Sequence, residues 1–310
     1  MKVSASDIKK LRDETQAGML DCKKALTESN GDYKAAVEYL RKKGLSAVAS
    51  RSGRIAAEGA IVIDVDVTGT KGAMIEVNSE TDFVARNENF QDVTGKIAEI
   101  MAKEQTSFED TLKLRYDDAH TVEGAITDLA ARIKENIFIR RGQTLSIDQG
   151  VITSYLHNSL GPKHGKIGVL VALKSASDKR NALHEIGKKI AMHIAAIKPK
   201  SLDISDLPQD LIDAERDIYA AQAKASGKPE QFIEKMVEGR LRKFYEEVVL
   251  LEQSFALEPK LKVKEFVEQE AKALGVEIVL ADFAFYMLGE GVEKEEKDFA
   301  KEVQEQMNRK

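Results

Sequence analysis

Asp64 and Asp66, two carboxylates one residue apart, have the spacing that acid–base or magnesium chemistry would use. They alternate with Ile63, Val65 and Val67, so a solvated strand face accounts for them better. His184-Glu185 opens the pattern of a zinc hydrolase, but Lys188 stands where the second histidine belongs, and His193 is nine residues away. Both histidines read as ordinary helix residues. Cys22, between Asp21 and Lys23, is the only cysteine; it excludes an intramolecular disulfide and a multi-cysteine metal site, and reads as a buried filler. No Gly-Lys pair is followed by Ser or Thr, Gly187-Lys188-Lys189 falls inside a helical pattern, and Gly289-Glu290-Gly291 lacks a third glycine. No G-x-S-x-G elbow occurs. With no catalytic constellation, metal site or cofactor cradle, the chain reads as something other than an enzyme.

The composition is that of a chain that folds into a globular protein. At 310 residues the chain has room for two or three domains, because single cores stop growing near roughly 250 to 300 residues. Apolar residues at 43% and charged residues at 32% are enough to build a core under a well-wetted surface. The net charge is −5 and basic residues come as scattered pairs such as Lys9-Lys10, Lys23-Lys24, Arg140-Arg141 and Lys188-Lys189. That argues against nucleic acid as a direct partner, since such binding needs a continuous basic stripe. One cysteine suits a reducing compartment. Met1-Lys2-Val3-Ser4 leads into an amphipathic pattern without an apolar leader, and no apolar run is long enough to span a membrane, so a cytoplasmic location is expected.

The elements follow from periodicity. Residues 4 to 44 predict three short helices: Ser4 and Asp7 start the first, Gly18 interrupts, Asn30-Gly31 turns, and the third buries Tyr33, Ala36, Val37 and Leu40 before stopping at Gly44. Ser46 to Gly59, rich in Ser, Ala and Gly, reads as a linker. Alternation then predicts a hairpin from Ile61, Ile63, Val65 and Val67 across Thr68–Gly72 to Ala73, Ile75 and Val77, with Glu76 and Asn78 on its other face. Helices with Phe90, Val93, Ile97 and Met101, then Val122, Ile126, Leu129 and Ile133, lead to a strand at Ile137-Phe138-Ile139. A similar order begins again: strands at Val151–His157 and Ile167–Leu173, a helix from Leu183 to Ile197 ended by Pro199, a helix around Val263–Leu274 and a strand from Val276 to Met287. Between its halves, residues 203 to 253 carry Leu211, Ile218 and Ala225 at sevens, then Ile233, Val237, Leu241, Val248 and Leu251. That seam suits an antiparallel helical hairpin turning at Ser226-Gly227-Lys228-Pro229. Phe299, Val303 and Met307 mark a terminal helix.

Several stretches are more distinctive: TQAGMLDCKKALTESNGDYKAAVEYLRKKG from Thr15, NSETDFVARNEN from Asn78, HGKIGVLVAL from His164, IAMHIAA from Ile190 and SGKPEQFIEKMVEGRLRKFYEE from Ser226. In this order, over nearly the whole chain, they resemble the bacterial elongation factor Ts family. The expected fold is therefore α+β. It has a three-helix module resembling ubiquitin-associated domains (1–45), a linker (46–59), and a duplicated α+β core with antiparallel sheets (60–140, then 141–202 with 254–290). An inserted coiled-coil hairpin (203–253) and a C-terminal helix (291–310) complete it.

The resemblance implies a guanine-nucleotide exchange factor for elongation factor Tu, in its GDP-bound and nucleotide-free states. Read from the residues alone, this strand-to-helix stretch is either a loop that a rigid scaffold holds out for binding or, the preferred reading, a place where Thr81 or Asp82 caps the next helix and Phe83 plugs the core. The resemblance instead makes Thr81, Asp82, Phe83 and Val84 a loop that enters the partner near its magnesium site. It also implies contacts through Arg12, Met19, Leu20 and Lys23 of the N-terminal module, with core packing of Met19 and Leu20 as the alternative. A third contact would come from the second core unit through the segment His157 to His164 and through Ala256 and Leu257. That segment carries extra residues, so His157 and His164 both stand as candidates. Stretch 104–121 reads as a lineage-specific loop. The hairpin either self-associates into a homodimer or projects into solvent. A scaffold that binds without exchanging nucleotide is the competing functional reading.

Overall fold

The computed structural model describes residues 3–15, 17–225 and 229–292. The turn expected at Ser226-Gly227-Lys228 and the terminal helix carrying Phe299, Val303 and Met307 lie outside those residues. Helices α1 (Ala5–Thr15), α2 (Met19–Glu28) and α3 (Tyr33–Ala49) form the N-terminal module. The Ser4 hydroxyl accepts the Asp7 N–H (3.1 Å) and the Asp32 carboxylate accepts the Ala35 N–H (3.0 Å), so both helices start at their sequence caps. Leu11, Cys22, Ala25, Leu26 and Ala36 close a small core. The stop expected at Gly44 does not occur: α3 continues to Ala49, which takes the first residues of the expected linker into the helix. Gly44 supplies space instead, because a Cβ there would lie 3.2 Å from the Ala131 Cβ. Val48, in the added turn, packs on the main core.

Strands β1 (Glu58–Val65) and β2 (Lys71–Ser79), helices α4 (Glu88–Glu104), α5 (Phe108–Thr111) and α6 (Val122–Ile133), and strand β3 (Phe138–Ser146) make one unit. The second has β4 (Gly150–Gly161), β5 (His164–Lys174), α7 (Arg180–Ile197), an inserted pair α8 (Gln209–Ala225) and α9 (Glu230–Val248), then α10 (Val263–Leu274) and β6 (Val279–Met287). In each, an antiparallel hairpin is followed by helices and a strand that returns beside the hairpin's second strand. The duplication extends to detail. Gly59 and Gly150 open the first strand of each unit at φ +121° and +134°, where a Cβ would collide with the carbonyl of Val77 or of Leu173.

The two three-stranded parts join through Ile61↔Gly165 and Val62↔His164, giving one mixed helix and sheet fold with strand order β3-β2-β1-β5-β4 and β6 on β5. α4 and α6 bury Ala60, Val62, Ile75 and Val77 on one side. α7 and α10 bury Val169, Val171 and Leu173 on the far side. Between the halves, Ile61, Ile63, Met74, Leu145, Ile152, Leu170, Ala172 and Tyr286 form a shared inner layer.

That two-sided burial revises several sequence readings. β1 has no solvated face; Asp64 pairs with Lys163 (2.6 Å), and Asp66 folds the following turn. Glu76 and Asn78 are fully buried. β3 runs on to Ser146, so the boundary expected at 140/141 falls inside a strand. The segment His157–His164 is a strand extension, bulged near Ser159 and turning at Pro162-Lys163, and its extra length carries the junction with β1. Stretch 104–121 is packed, with Phe108, Leu112, Leu114 and Tyr116 against the first core. In the inserted pair the seam uses Ile212, Tyr219, Val237, Leu241 and Phe244, and Ile218 is exposed because the seven-residue spacing on α8 runs through Ile212 and Tyr219, one position on from Leu211 and Ile218.

Candidate functional site

The stretch Thr81–Val84 divides its labour. Thr81 is held twice by one carboxylate: its N–H donates to Glu135 Oε2 (3.0 Å) and its hydroxyl to Oε1 (2.7 Å). Glu80, one residue earlier, accepts the Asn136 N–H (2.6 Å) and pairs with Arg54 (3.2 Å). Val84 and Ala85 begin a 3-10 turn buried against the α4 core, and Asn87, rather than Thr81 or Asp82, caps α4 by accepting the Phe90 N–H. Phe90, not Phe83, fills the core there. Asp82 and Phe83 are left outside, with Phe83 78% exposed, an unusual environment for an aromatic ring. So Thr81 and Val84 are anchors, and only Asp82 and Phe83 are presented.

On the N-terminal module, Gly18 precedes α2 and sends Met19 and Leu20 outward, Leu20 being 83% exposed; core packing of these two is therefore not what the fold uses. Arg12 and Lys23 are exposed as well. Cys22 faces the module's core, and burial pushes its thiol pKa up.

In the second unit the two histidine candidates separate. His157 is exposed, its Nδ1 within 3.1 Å of the Tyr155 hydroxyl. His164 is 3% exposed beneath the β1–β5 junction and is withdrawn from any visitor. Ala256 and Leu257 are exposed at the end of a loop fixed by His193, a buried residue that motif reasoning passed over. His193 Nδ1 accepts the Ala256 N–H (3.0 Å), so Nε2 carries the proton and donates to Gln253 Oε1 (2.9 Å). Burial lowers the pKa of His193, partly offset by that bond to Gln253.

None of these patches has the donor set of a reaction centre. Burial pushes the Asp66 carboxyl up, but the Thr68 hydroxyl and the Lys71, Thr70 and Thr68 amides outweigh it and hold the group ionised as a turn cap. Among the described residues no group of three or more His, Cys, Asp or Glu could hold a metal ion, and no helix is long and apolar enough to cross a membrane. The exposed residues instead make separate apolar and charged patches.

A family model described as elongation factor TS matches residues 80–290. The chain belongs to the elongation factor Ts family. Elongation factor Ts of Rhodospirillum centenum (strain ATCC 51521 / SW) is 51% identical over 306 residues, 97% of this chain and 98% of the relative. That of Rhodospirillum rubrum is 49% identical over 99% of each chain, and that of Rickettsia felis 48% over 98% of this chain and 97% of the relative. The full-length elongation factor Ts relatives thus cover the N-terminal module that the family model leaves out. Sequence reading does not single out Glu135 or Asn136 and sets His193 aside as an ordinary helix residue, although all three fix the exposed loops. Their partners lie 54 residues or more away in the chain, and no local spacing signals such pairs.

Proposed function

We propose that the chain is a guanine-nucleotide exchange factor that binds elongation factor Tu and hastens release of its GDP during translation elongation. Family membership supports the role, and the observation that carries the mechanism is the exposed Phe83 beside Asp82 on a base anchored at both ends. In a GTPase the magnesium ion and P-loop amides hold the nucleotide phosphates, so a ring driven beside that site loosens GDP by displacing what positions the ion. Linkage requires that nucleotide weakens the factor in return, so neither partner is trapped. The factor needs no reacting side chain, only tighter binding to the nucleotide-free state. Arg12, Met19, Leu20 and Lys23 supply a second contact, and His157, Ala256 and Leu257 a third. Within this reading residues 1–45 act as a docking module of the ubiquitin-associated type, and the 203–253 coiled coil is the surface for homodimer formation, which sedimentation of the free protein would test.

Stopped-flow release of a fluorescent GDP from elongation factor Tu tests the mechanism. An aromatic hot spot is worth about 2 kcal/mol or more, so Phe83→Ala should slow stimulated release roughly 30-fold, with Asp82→Ala slower by a lesser factor. Undiminished acceleration by both variants would remove this loop from the mechanism. The competing scaffold reading requires binding without any acceleration, and no feature of the site favours it.

A further inference from the structure

Three tethers converge on the corner that ends α6. Lys134 terminates the helix in a left-handed conformation (φ +69°), which turns the next two residues inward. Glu135 then grips Thr81 at both its amide and its hydroxyl. Asn136, 5% exposed, gives its N–H to Glu80 and its side-chain amide to the carbonyls of Arg54 (2.8 Å) and Ser52 (3.4 Å). The same helix carries Ala131 against Gly44 of α3, and Lys134 Nζ lies 4.0 Å from where a Cβ on Gly18 would sit, at the start of α2. One corner therefore touches the base of the Asp82-Phe83 loop, the connection from the N-terminal module, and the helix that presents Met19 and Leu20.

We infer that Glu135 and Asn136 form a bracket that holds the Phe83 wedge rigid and fixes its position relative to the N-terminal contact patch, making Glu135 a positioning residue for nucleotide release. The inference rests on the exchange reading above. A wedge must move its partner rather than yield to it. Phe83, being mostly exposed, has little packing of its own to resist with, so resistance has to come from the residues before and after it. After it, Val84 and Ala85 are locked by burial. Before it, among the described residues, Thr81 is bonded by Glu135 and by the Ser79 hydroxyl, which donates to the Thr81 carbonyl (2.8 Å). Loss of the carboxylate frees the leading side of the loop without touching either presented side chain. Ordering then has to occur when the wedge inserts, a cost that rigid presentation avoids. First encounter with GDP-bound partner, which needs no insertion, is unaffected.

The test measures GDP release against factor concentration for the full chain with Glu135→Ala, Glu135→Gln, Phe83→Ala and the double variant Phe83→Ala/Glu135→Ala. Glu135→Ala should lower the maximal release rate about 10-fold while shifting the half-saturating concentration less than about 3-fold, a split that mere loss of fold does not give. Glu135→Gln keeps one acceptor for Thr81, so its rate falls between the two and guards against a poorly folded alanine variant. The double variant should release GDP at the Phe83→Ala rate, because the bracket acts only through the ring. Additive losses would overturn the bracket by showing that Glu135 works independently of Phe83. Normal rates for both Glu135 variants beside a slow Phe83→Ala would also overturn it, leaving the exchange reading intact. A normal rate for Phe83→Ala would remove the wedge itself, and the bracket with it.

Discussion

Acid should destabilise this protein through His164, and the geometry gives the sign and size. The Thr94 hydroxyl donates to the Phe90 carbonyl (2.7 Å), so its oxygen accepts from His164 Nε2–H (2.8 Å). That fixes the tautomer and leaves Nδ1 bare, buried and, among the described residues, without a partner. A second proton would have to sit on Nδ1 with no acceptor. Burial, then the neighbouring Lys163 ammonium, lower the pKa from 6.5 to about 4, with Asp92 pulling the other way. The unfolded chain takes up this proton as pH drops below about 6.5, whereas the folded chain refuses it until about 4. The stabilising contribution is therefore complete above pH 6.5 and is lost as pH falls toward 4. At about 1.36 kcal/mol per pH unit the gap is worth about 3 kcal/mol in all, of which roughly 2.5 is gone by pH 4.5. His164→Gln keeps an N–H donor for Thr94 and cannot titrate. In urea unfolding at pH 7.5 and 4.5, the native chain should lose about 2 kcal/mol more than the variant, the common contribution of His193 cancelling. Equal losses would refute the reasoning and mean that His164 takes up its proton without penalty.

Glu76 and Gly168 test how the two halves are held together. Glu76, fully buried on β2, accepts from Arg140 (3.2 Å) and Arg141 (2.6 Å) on β3 and from the Gly289 N–H (2.8 Å) just beyond β6. Arg141 also stacks on Tyr286 at 4.1 Å. Glu76→Ala removes the carboxylate from Arg140 and leaves Arg141 with Glu290 (3.1 Å) and the Met287 carbonyl (3.3 Å), and should cost about 3 kcal/mol, read as a lowered urea midpoint, with Glu76→Gln costing less. A Cβ on Gly168 would lie 2.4 Å from Ile61 Cγ2 and 2.7 Å from Met74 Sδ. Gly168→Ala should therefore cost about 1 to 3 kcal/mol by overpacking the layer between the halves, and unchanged stability would show that this layer has room to spare.

Periodicity exposed most elements because their faces are strongly one-sided. The α4 stripe of Phe90, Ile97 and Met101 and the α7 stripe of Leu183, Ile186, Ile190 and Ile194 are buried as their spacing implies. β1 misled because Asp64 and Asp66 look like a wet face, yet one answers Lys163 across the junction and the other caps a turn. Gly44 misled for a related reason: a glycine that lets two helices touch has the same local sequence as one that ends a helix. Heptad reading on α8 chose Ile218 over Tyr219, a shift of one residue that no local signal prevents. Buried ion pairs such as Glu76 with Arg140 and Arg141 are invisible until both strands are placed.

The motifs that carry the family resemblance prove to be mostly scaffold, and this bears on how contact residues should be chosen. HGKIGVLVAL places His164 and Gly165 at the sheet junction and Gly168 under Ile61. In IAMHIAA the side chain of His193 reaches out of α7 to hold the Gln253–Ala256 loop. Thr81 and Val84 anchor their own motif, leaving Asp82 and Phe83 to face outward. A side chain that fixes a loop loses its freedom to meet a partner, so membership of a motif and availability for contact are separate properties. Exposure sorts the candidates. Arg12, Met19, Leu20, Lys23, Asp82, Phe83, His157, Ala256 and Leu257 are exposed and so available, whereas Thr81 is half-buried and Val84 and His164 are buried among the neighbours they hold.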